Sequence, residues 1–374
     1  MFRIALRMLA GDTGKYLALV LGLAFSTTLI VQQGSVFTGL MRRAATQVES
    51  VPQADIWVMD GATRYFDERR AIEDTAVQRV RGVDGVEWAE PIFFGMGTAQ
   101  MPDRTFASVQ IVGVDRAARL GLADRFEDGR PEAIAEPDAV YWDHLNLDIY
   151  KQVRTGTTLE INDRRARVVA LASAPRIFLS TPTVYTTYQR ALAYSPGTRK
   201  RLTFVLVKVK PGHDHGEVAA RIAAATGLGA KTRETFFWDT VFFYLKNTGI
   251  GINFGLTVLL GFIVGAAVAG QTFFTFIMEN SRHFAALKAM GLSNRTLVLM
   301  VLLQALAVGV LGWGLGVGAA TLFGHNITDR SVVAFLLTPQ LLAISFLGTL
   351  VTVLLAGGIS VRRVVAVPPA VVFR

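Results

Sequence analysis

Four stretches of this sequence, residues 16–41, 247–278, 296–324 and 331–361, contain no charged side chain. A helix rises about 1.5 Å per residue and a bilayer core is roughly 30 Å thick, so each stretch can cross a membrane as a helix. About 200 mixed polar residues separate the first stretch from the other three. The expected architecture is an integral membrane protein with four transmembrane α-helices and one large insertion between helices 1 and 2. Hydrophobic residues make up 51% of the chain and charged residues only 18%, which excludes an ordinary soluble enzyme. Cysteine is absent, so disulfides, thiolate catalysis and cysteine-held metal centres are excluded too.

Basic residues set the expected orientation. Arg3, Arg7 and Lys15 precede the first span, Arg282, Lys288 and Arg295 follow the second, and Arg362, Arg363 and Arg374 follow the fourth. Against them stand only Asp12 and Glu279, so nine bases and two acids account for +7 of the formal net charge of +9. The positive-inside rule makes these three segments cytoplasmic and the insertion extracytoplasmic. The expected layout is a cytoplasmic amphipathic N-terminal helix (1–15), spans at 16–41, 246–278, 296–324 and 333–361, and an α+β domain at 42–245. A cytoplasmic loop (279–295), a short outer loop (325–332) and a cytoplasmic tail (362–374) complete it. The basic residues are divided among short membrane-flanking segments, so no nucleic-acid footprint forms. The first uncharged run is too long for the core of a cleavable signal peptide, and no small-x-small site stands out before Arg42. Asp12, Thr13 and Gly14 are expected to break the chain, leaving residues 2–10 as a short helix flat in the inner interface.

Glycines at four-residue spacing mark close helix packing: Gly251 and Gly255, Gly261 and Gly265, and Gly312 and Gly316, the last pair interleaved with Gly314 and Gly318. Packing within one subunit and a dimer seam both account for them. Gln271 and Gln304 are the strongly polar side chains within spans 2 and 3, and no ionisable group lies in any span core, which argues against an ion-coupled carrier. Aromatic residues crowd 235–246, the approach to span 2, as in an amphipathic stalk or an interfacial aromatic belt.

The insertion reads as mixed α and β. Strands are expected at 54–59, 107–114 and 202–209, a helix at 70–81, and a hairpin from 158–161 and 165–171 around Asn162-Asp163. A second helix follows the Pro211-Gly212 turn, with Val218, Ile222 and Ala225 on one side. Strand, turn and helix together resemble half of a ferredoxin-like unit. Two subdomains are expected, divided near 120–200. His213 and His215 with Asp214 and Glu217 fit a solvated helix start better than a metal site. Asp138, Asp143 and His144 lack an adjacent nucleophile motif and read as a surface helix. Ser180 lacks a Gly-x-Ser-x-Gly elbow.

Residues 278–291, Met-Glu-Asn-Ser-Arg-His-Phe-Ala-Ala-Leu-Lys-Ala-Met-Gly, read as a short amphipathic helix stopped by Gly291, with Phe284 and Leu287 on one face and Arg282 and Lys288 in water. The pattern acid-x-x-Arg-x-x-x-x-Leu-Lys-Ala-Met-Gly, then a basic residue and a new span, resembles the cytoplasmic coupling segment of permeases in the FtsX/MacB superfamily of ABC transporters. Ala5-Leu6-Arg7-Met8-Leu9, the tail from Arg362-Arg363 to Pro368 and the one-plus-three span layout are similar to that family as well. Ala54-Asp55-Ile56-Trp57-Val58-Met59-Asp60 looks like its DevC-type members.

The chain has no Gly-x4-Gly-Lys-Ser/Thr loop, and its nearest fragment, Gly14-Lys15, runs into Tyr16. The resemblance therefore implies a non-catalytic permease without a cofactor of its own, served by a separate ABC ATPase subunit that holds ATP and magnesium. That partner would dock on Glu279, Arg282, His283, Phe284, Leu287, Lys288 and Gly291. Phe284 and Leu287 would be the apolar anchors and Arg282 and Lys288 the rim charges. The resemblance also implies a homodimer in the bacterial inner membrane among its lipids, a periplasmic adaptor (membrane fusion) protein and an outer-membrane channel, and export of an amphipathic or lipid-like substrate. The alternative is an FtsX-type relay that regulates an extracytoplasmic enzyme and transports nothing.

Overall fold

The computed structural model describes residues 13–117, 119–123, 125–146, 150, 152–178, 181–195, 201–328 and 333–366. Ser180 and the expected N-terminal helix at 2–10 lie outside them. Two compact units emerge, residues 1–40 with 248–374, and residues 41–247. Helix α1 (Thr13–Glu49) supplies residues to both. Thr13 and Gly14 already belong to it, and it continues eight residues beyond the span end expected at Met41. That extension is amphipathic: Ala44, Ala45 and Val48 are buried while Arg42 and Glu49 pair at 3.5 Å.

The second unit is built on one sheet. Strands β1 (Ile56–Met59) and β3 (Val86–Gln100) are connected through β2 (Ile72–Glu73) and α2 (Ala76–Arg81). Further along are β4 (Phe106–Val114), β5 (Phe126–Gly129), β6 (Ala139–Asp143), β7 (Thr158–Ile161), β8 (Arg164–Ala172) and β9 (Thr183–Thr187). After these come α3 (Tyr188–Tyr194), β10 (Arg201–Leu202), β11 (Phe204–Val209), α4 (His215–Thr226), β12 (Gly229–Thr232) and α5 (Arg233–Asn247).

The order β12-β1-β11-β3, antiparallel throughout, with α2 and α4 as the two crossovers, is a complete split βαβ of the ferredoxin-like kind. Sequence reading places β1 and a helix over 70–81 but no strand at β3, and so misses the first half. The helix expected at 70–81 is confined to its second half. Buried Ile72 lies in a short strand paired with Leu202. On α4 the buried stripe is Val218, Ala219, Ile222 and Thr226, and Ala225 is exposed.

Strand β3 is 15 residues long, and its far half carries β4, which pairs in parallel with β9 and leads through β6 and β8 to β5. The two expected subdomains are thus lobes of one ten-stranded sheet, joined by the length of β3 and β4. Ile56 and Val58 face α2 and α4, whereas Trp57 and Met59 face the opposite layer with Phe66, Phe94, Phe204 and Phe236. Burial on both faces explains why β1 reads as an unbroken apolar run. The β7–β8 hairpin closes through Asn162 (φ +45°) and Asp163 (φ +61°), the left-handed pair that a two-residue turn needs.

The other unit holds the first part of α1 with α6 (Ile250–Glu279), α7 (Ser281–Ala289), α8 (Asn294–Thr328) and α9 (Pro339–Ala366). Of these, α1, α6, α8 and α9 are long and apolar enough to cross a membrane. Span 4 starts at Pro339 and not at 333, since proline favours the first helical position and Thr338 Oγ1 accepts from Leu341 N (3.3 Å). The non-helical residues before it rest on α1: Leu336 N donates to Ser35 O (2.9 Å), and Ala334 lies against Gly39.

Candidate partner-docking site

Three consecutive hydroxyls on α1 organise the membrane unit. Ser26 Oγ donates to Gly261 O on α6 (2.8 Å), Thr27 Oγ1 bonds Thr349 Oγ1 on α9 (3.0 Å), and Thr28 Oγ1 reaches Gly316 O on α8 (3.2 Å). Successive helical residues point about 100° apart, so three neighbours in sequence address three neighbours in space. Glycine permits the approach. A Cβ on Gly265 would collide with Ser26, one on Gly312 would lie 2.7 Å from Leu23 Cβ, and one on Gly316 would lie 2.6 Å from Thr27 Cβ. Gly261 faces Leu29 and Ile30. Within one chain Gly261, Gly265, Gly312 and Gly316 each face a neighbouring helix. Gly255 is exposed with nothing within 4 Å of a Cβ, and Gly251 is half-buried. Gly314 and Gly318 also face open space.

The 279–295 segment is specified locally at every joint. Asn280 ends α6, its N and Nδ2 both donating to Phe276 O (3.1 and 2.9 Å). Helix α7 closes with Leu292 N donating to Leu287 O (3.1 Å) and Gly291 N to Lys288 O (3.0 Å), Gly291 at φ +94°. This is the paired-bond termination that a left-handed glycine allows. Ser293 then caps α8, its Oγ accepting from Thr296 N (3.3 Å).

Facing departs from expectation at one important residue. Phe284 is 1% exposed and packs with Leu19, Phe273, Phe276 and Leu297, so it anchors α7 to its own bundle and is not presented to a partner. Burying a phenylalanine side chain contributes about 1.5–3 kcal/mol, which the free chain takes for itself. Leu287 is half-buried against the same cluster. Glu279, Arg282, His283 and Gly291 are exposed, and Lys288 is half-buried. The exposed large apolar side chains are Met290 (71%) and Met278 (49%), and exposed Arg295 follows Met290 by five residues. Sequence reasoning missed Met290 because only Phe284 and Leu287 were placed on the apolar face; its place one residue before the left-handed Gly291 turns it outward.

The approach helix α5 is clasped by the 65–69 loop. Tyr65 stacks on Phe243 (3.6 Å, 6°), Phe66 N donates to Thr240 Oγ1 (3.1 Å), and Tyr244 Oη donates to Asp67 Oδ2 (2.6 Å). Burial first, then Asp67, pushes the Tyr244 phenol up, and burial holds Arg69 below its usual range despite Asp67 at 2.9 Å. On the other side of α5, Trp238, Phe242 and Leu245 are exposed.

The residues considered for chemistry have structural duties. Asp214 caps α4 by accepting from Glu217 N (2.9 Å). Asp143 is buried at the end of β6, a strand where a surface helix was expected, and accepts from Leu145 N (3.1 Å). Among the described residues no group of three or more metal-ligating side chains converges.

Residues 17–225 match the family model for the MacB-like periplasmic core domain, and residues 254–369 match the FtsX-like permease C-terminal model. An uncharacterized ABC transporter permease of Mycobacterium tuberculosis (strain ATCC 25618 / H37Rv) is 24% identical over 363 residues, covering 94% of this chain and 93% of that one. One of Mycobacterium bovis (strain ATCC BAA-935 / AF2122/97) is 26% identical over 362 residues, with 94% and 93% covered. Among solved structures, the periplasmic region of MacB from Actinobacillus actinomycetemcomitans matches with a TM-score of 0.39 at 14% identity, covering 54% of this chain and 96% of that one. The extracellular domain of the noncanonical ABC-type transporter YknZ from Gram-positive bacteria matches with a TM-score of 0.36 at 12% identity, covering 48% and 98%.

Proposed function

Because the chain belongs to the FtsX/MacB family of ABC transporter permeases, we propose that it is the membrane subunit of an ATP-driven exporter, passing the nucleotide cycle of a separate ATPase to its inserted domain. The observation that supports this most directly is the two-sidedness of α7. Phe284 is built into a cluster containing residues of all four spans and Ala285 beside it is buried, while Arg282, His283 and Met290 face outward. A push on the outward side is a push on the whole bundle, because packed elements move as units.

The ATPase, carrying ATP and magnesium, docks on this surface with Met290 as the apolar anchor and Arg282, His283 and Arg295 around it. Two permease copies pair in the bacterial inner membrane, and the outward glycines Gly255, Gly314 and Gly318 suit close approach of a second copy. The inserted domain lies outside the cytoplasm, as the charge bias argues. It works there with an adaptor protein and an outer-membrane channel to move an amphipathic or lipid-like substrate, in line with the DevC-like opening at 54–60.

Purified from its own membranes, the chain should carry a P-loop ATPase in equal copy number, two of each. Met290→Glu should lower ATPase retention at least about tenfold while the permease still folds, since a charge in an apolar anchor site costs several kcal/mol. Undiminished retention would overturn the assignment. Stimulation of ATP hydrolysis by an extracytoplasmic enzyme, with no response to amphiphiles, would replace export by the relay.

A further inference from the structure

A groove of about 260 Å³ opens in the inserted domain where the end of α1 meets the loops after β4 and β8. Its walls are apolar at Leu122, Ala123 and Pro175, and its rim carries Ser50, Ser173 and Arg125. Arg125 is exposed and has no ion pair among the described residues.

Deeper in, a chamber of about 10 Å³, sharing Ser50 and Tyr185 with the groove, reaches the buried pair Gln47 and Gln110. Gln47 Nε2 donates to Gln110 Oε1 (2.6 Å), and the Nε2 of Gln110, a residue only 1% exposed, has no partner. Buried donors are rarely left unpaired. A chamber of this size accommodates one oxygen atom.

We propose that this groove is a binding site for a small anionic amphiphile: a carboxylate or phosphate held at Arg125, a short apolar stem along Leu122 and Ala123, and a terminal oxygen accepting from Gln110. Apolar walls with a few convergent polar groups are the composition of ligand sites in general. The occupant touches α1 directly, because Gln47 lies in its last turns and Ser50 Oγ donates to Gln47 O (2.7 Å). Occupancy is thereby read by the helix whose earlier residues hold the membrane bundle together. The site does not depend on the ATPase assignment, and failure of ATPase retention leaves it standing.

The test uses the full chain in nanodiscs with 6-hydroxyhexanoate as probe, hexanoate and hexane-1,6-diol as controls, and calorimetric titration. The hydroxy acid should bind saturably, with each control weaker by at least about tenfold, since hexanoate lacks the terminal hydroxyl and the diol lacks the anionic carboxylate. Arg125→Glu should weaken the acid at least tenfold and leave the diol unchanged. Ala123→Trp and Ser173→Trp, on different segments of the lining, should each abolish binding without moving the unfolding temperature of the free protein, and hydrogen exchange at residues 44–50 should slow on binding. Absence of saturable binding at about 10 mM, equal binding of the diol, or binding that survives both tryptophans overturns the proposal.

Discussion

Ser26, Thr27 and Thr28 show what single residues can decide in a membrane, where burial of apolar surface does not favour one helix neighbour over another. Each hydroxyl bonds a different span, and the glycines opposite let the backbones close. The glycines therefore separate into two classes. At Gly316 a methyl group would meet Thr27 Cβ at 2.6 Å and the Ala24 carbonyl at 2.7 Å, so backbone must move. Gly316→Ala is expected to destabilise the chain by about 1–3 kcal/mol. Gly255→Ala, in open space, should change it by less than about 0.5 kcal/mol and act instead on association of two copies. Unfolding in mixed detergent–SDS micelles and cross-linking in membranes read the two effects separately; equal loss of stability in both would refute the distinction. That glycine would be used here was legible in the four-residue spacing. Which glycine faced which helix was not, because spacing fixes a face and says nothing of its partner.

The elements that read most clearly are those whose signal is local. The β7–β8 hairpin was expected at 158–161 and 165–171 and is found at Thr158–Ile161 and Arg164–Ala172. Asn162 and Asp163 tolerate positive φ, and Asn162 also holds its surroundings: its Oδ1 accepts from Thr98 N (2.9 Å) and its Nδ2 donates to Tyr194 O (2.7 Å). Asn162→Ala removes both bonds and leaves a left-handed alanine. The expected cost is about 2 kcal/mol, seen as a fall of roughly 5 °C in unfolding temperature and faster amide exchange across β7 and β8. An unchanged exchange pattern would show that the turn is held by other means. The elements that read poorly are those set by distant partners. Ile72–Glu73 is a strand because Arg201–Leu202 lies beside it, and Ala139–Asp143 is a buried strand because β8 and β9 flank it.

Across the whole molecule, the burial of Phe284 decides how firmly α7 is tied to the bundle. An exposed phenylalanine would make α7 a loosely attached adhesive patch; a buried one makes it a rigid corner of the bundle. Phe284→Ala should cost about 3–5 kcal/mol of stability in the membrane unit through the cavity it leaves, a loss that thermal unfolding in detergent would register. Met290→Ala should leave stability within about 0.5 kcal/mol while weakening the ATPase complex. If Phe284→Ala unfolds no earlier than the parent chain, α7 is not part of the core.

The sequence by itself determined the four spans, the charge bias of their flanks, the stop at Gly291 in the 279–295 loop, and the class to which the chain belongs. All of these follow from runs, spacings and turn chemistry within about 30 neighbouring residues, where the side chain and its cause are close in the chain. Only the tertiary structure decided that the split βαβ is complete, that Phe284 turns inward, which α1 hydroxyl meets which span, and that Gln47 meets Gln110 beneath a groove. The Gln47–Gln110 and Thr27–Thr349 bonds join residues 63 and 322 positions apart, and no local pattern encodes which of many compatible surfaces will meet.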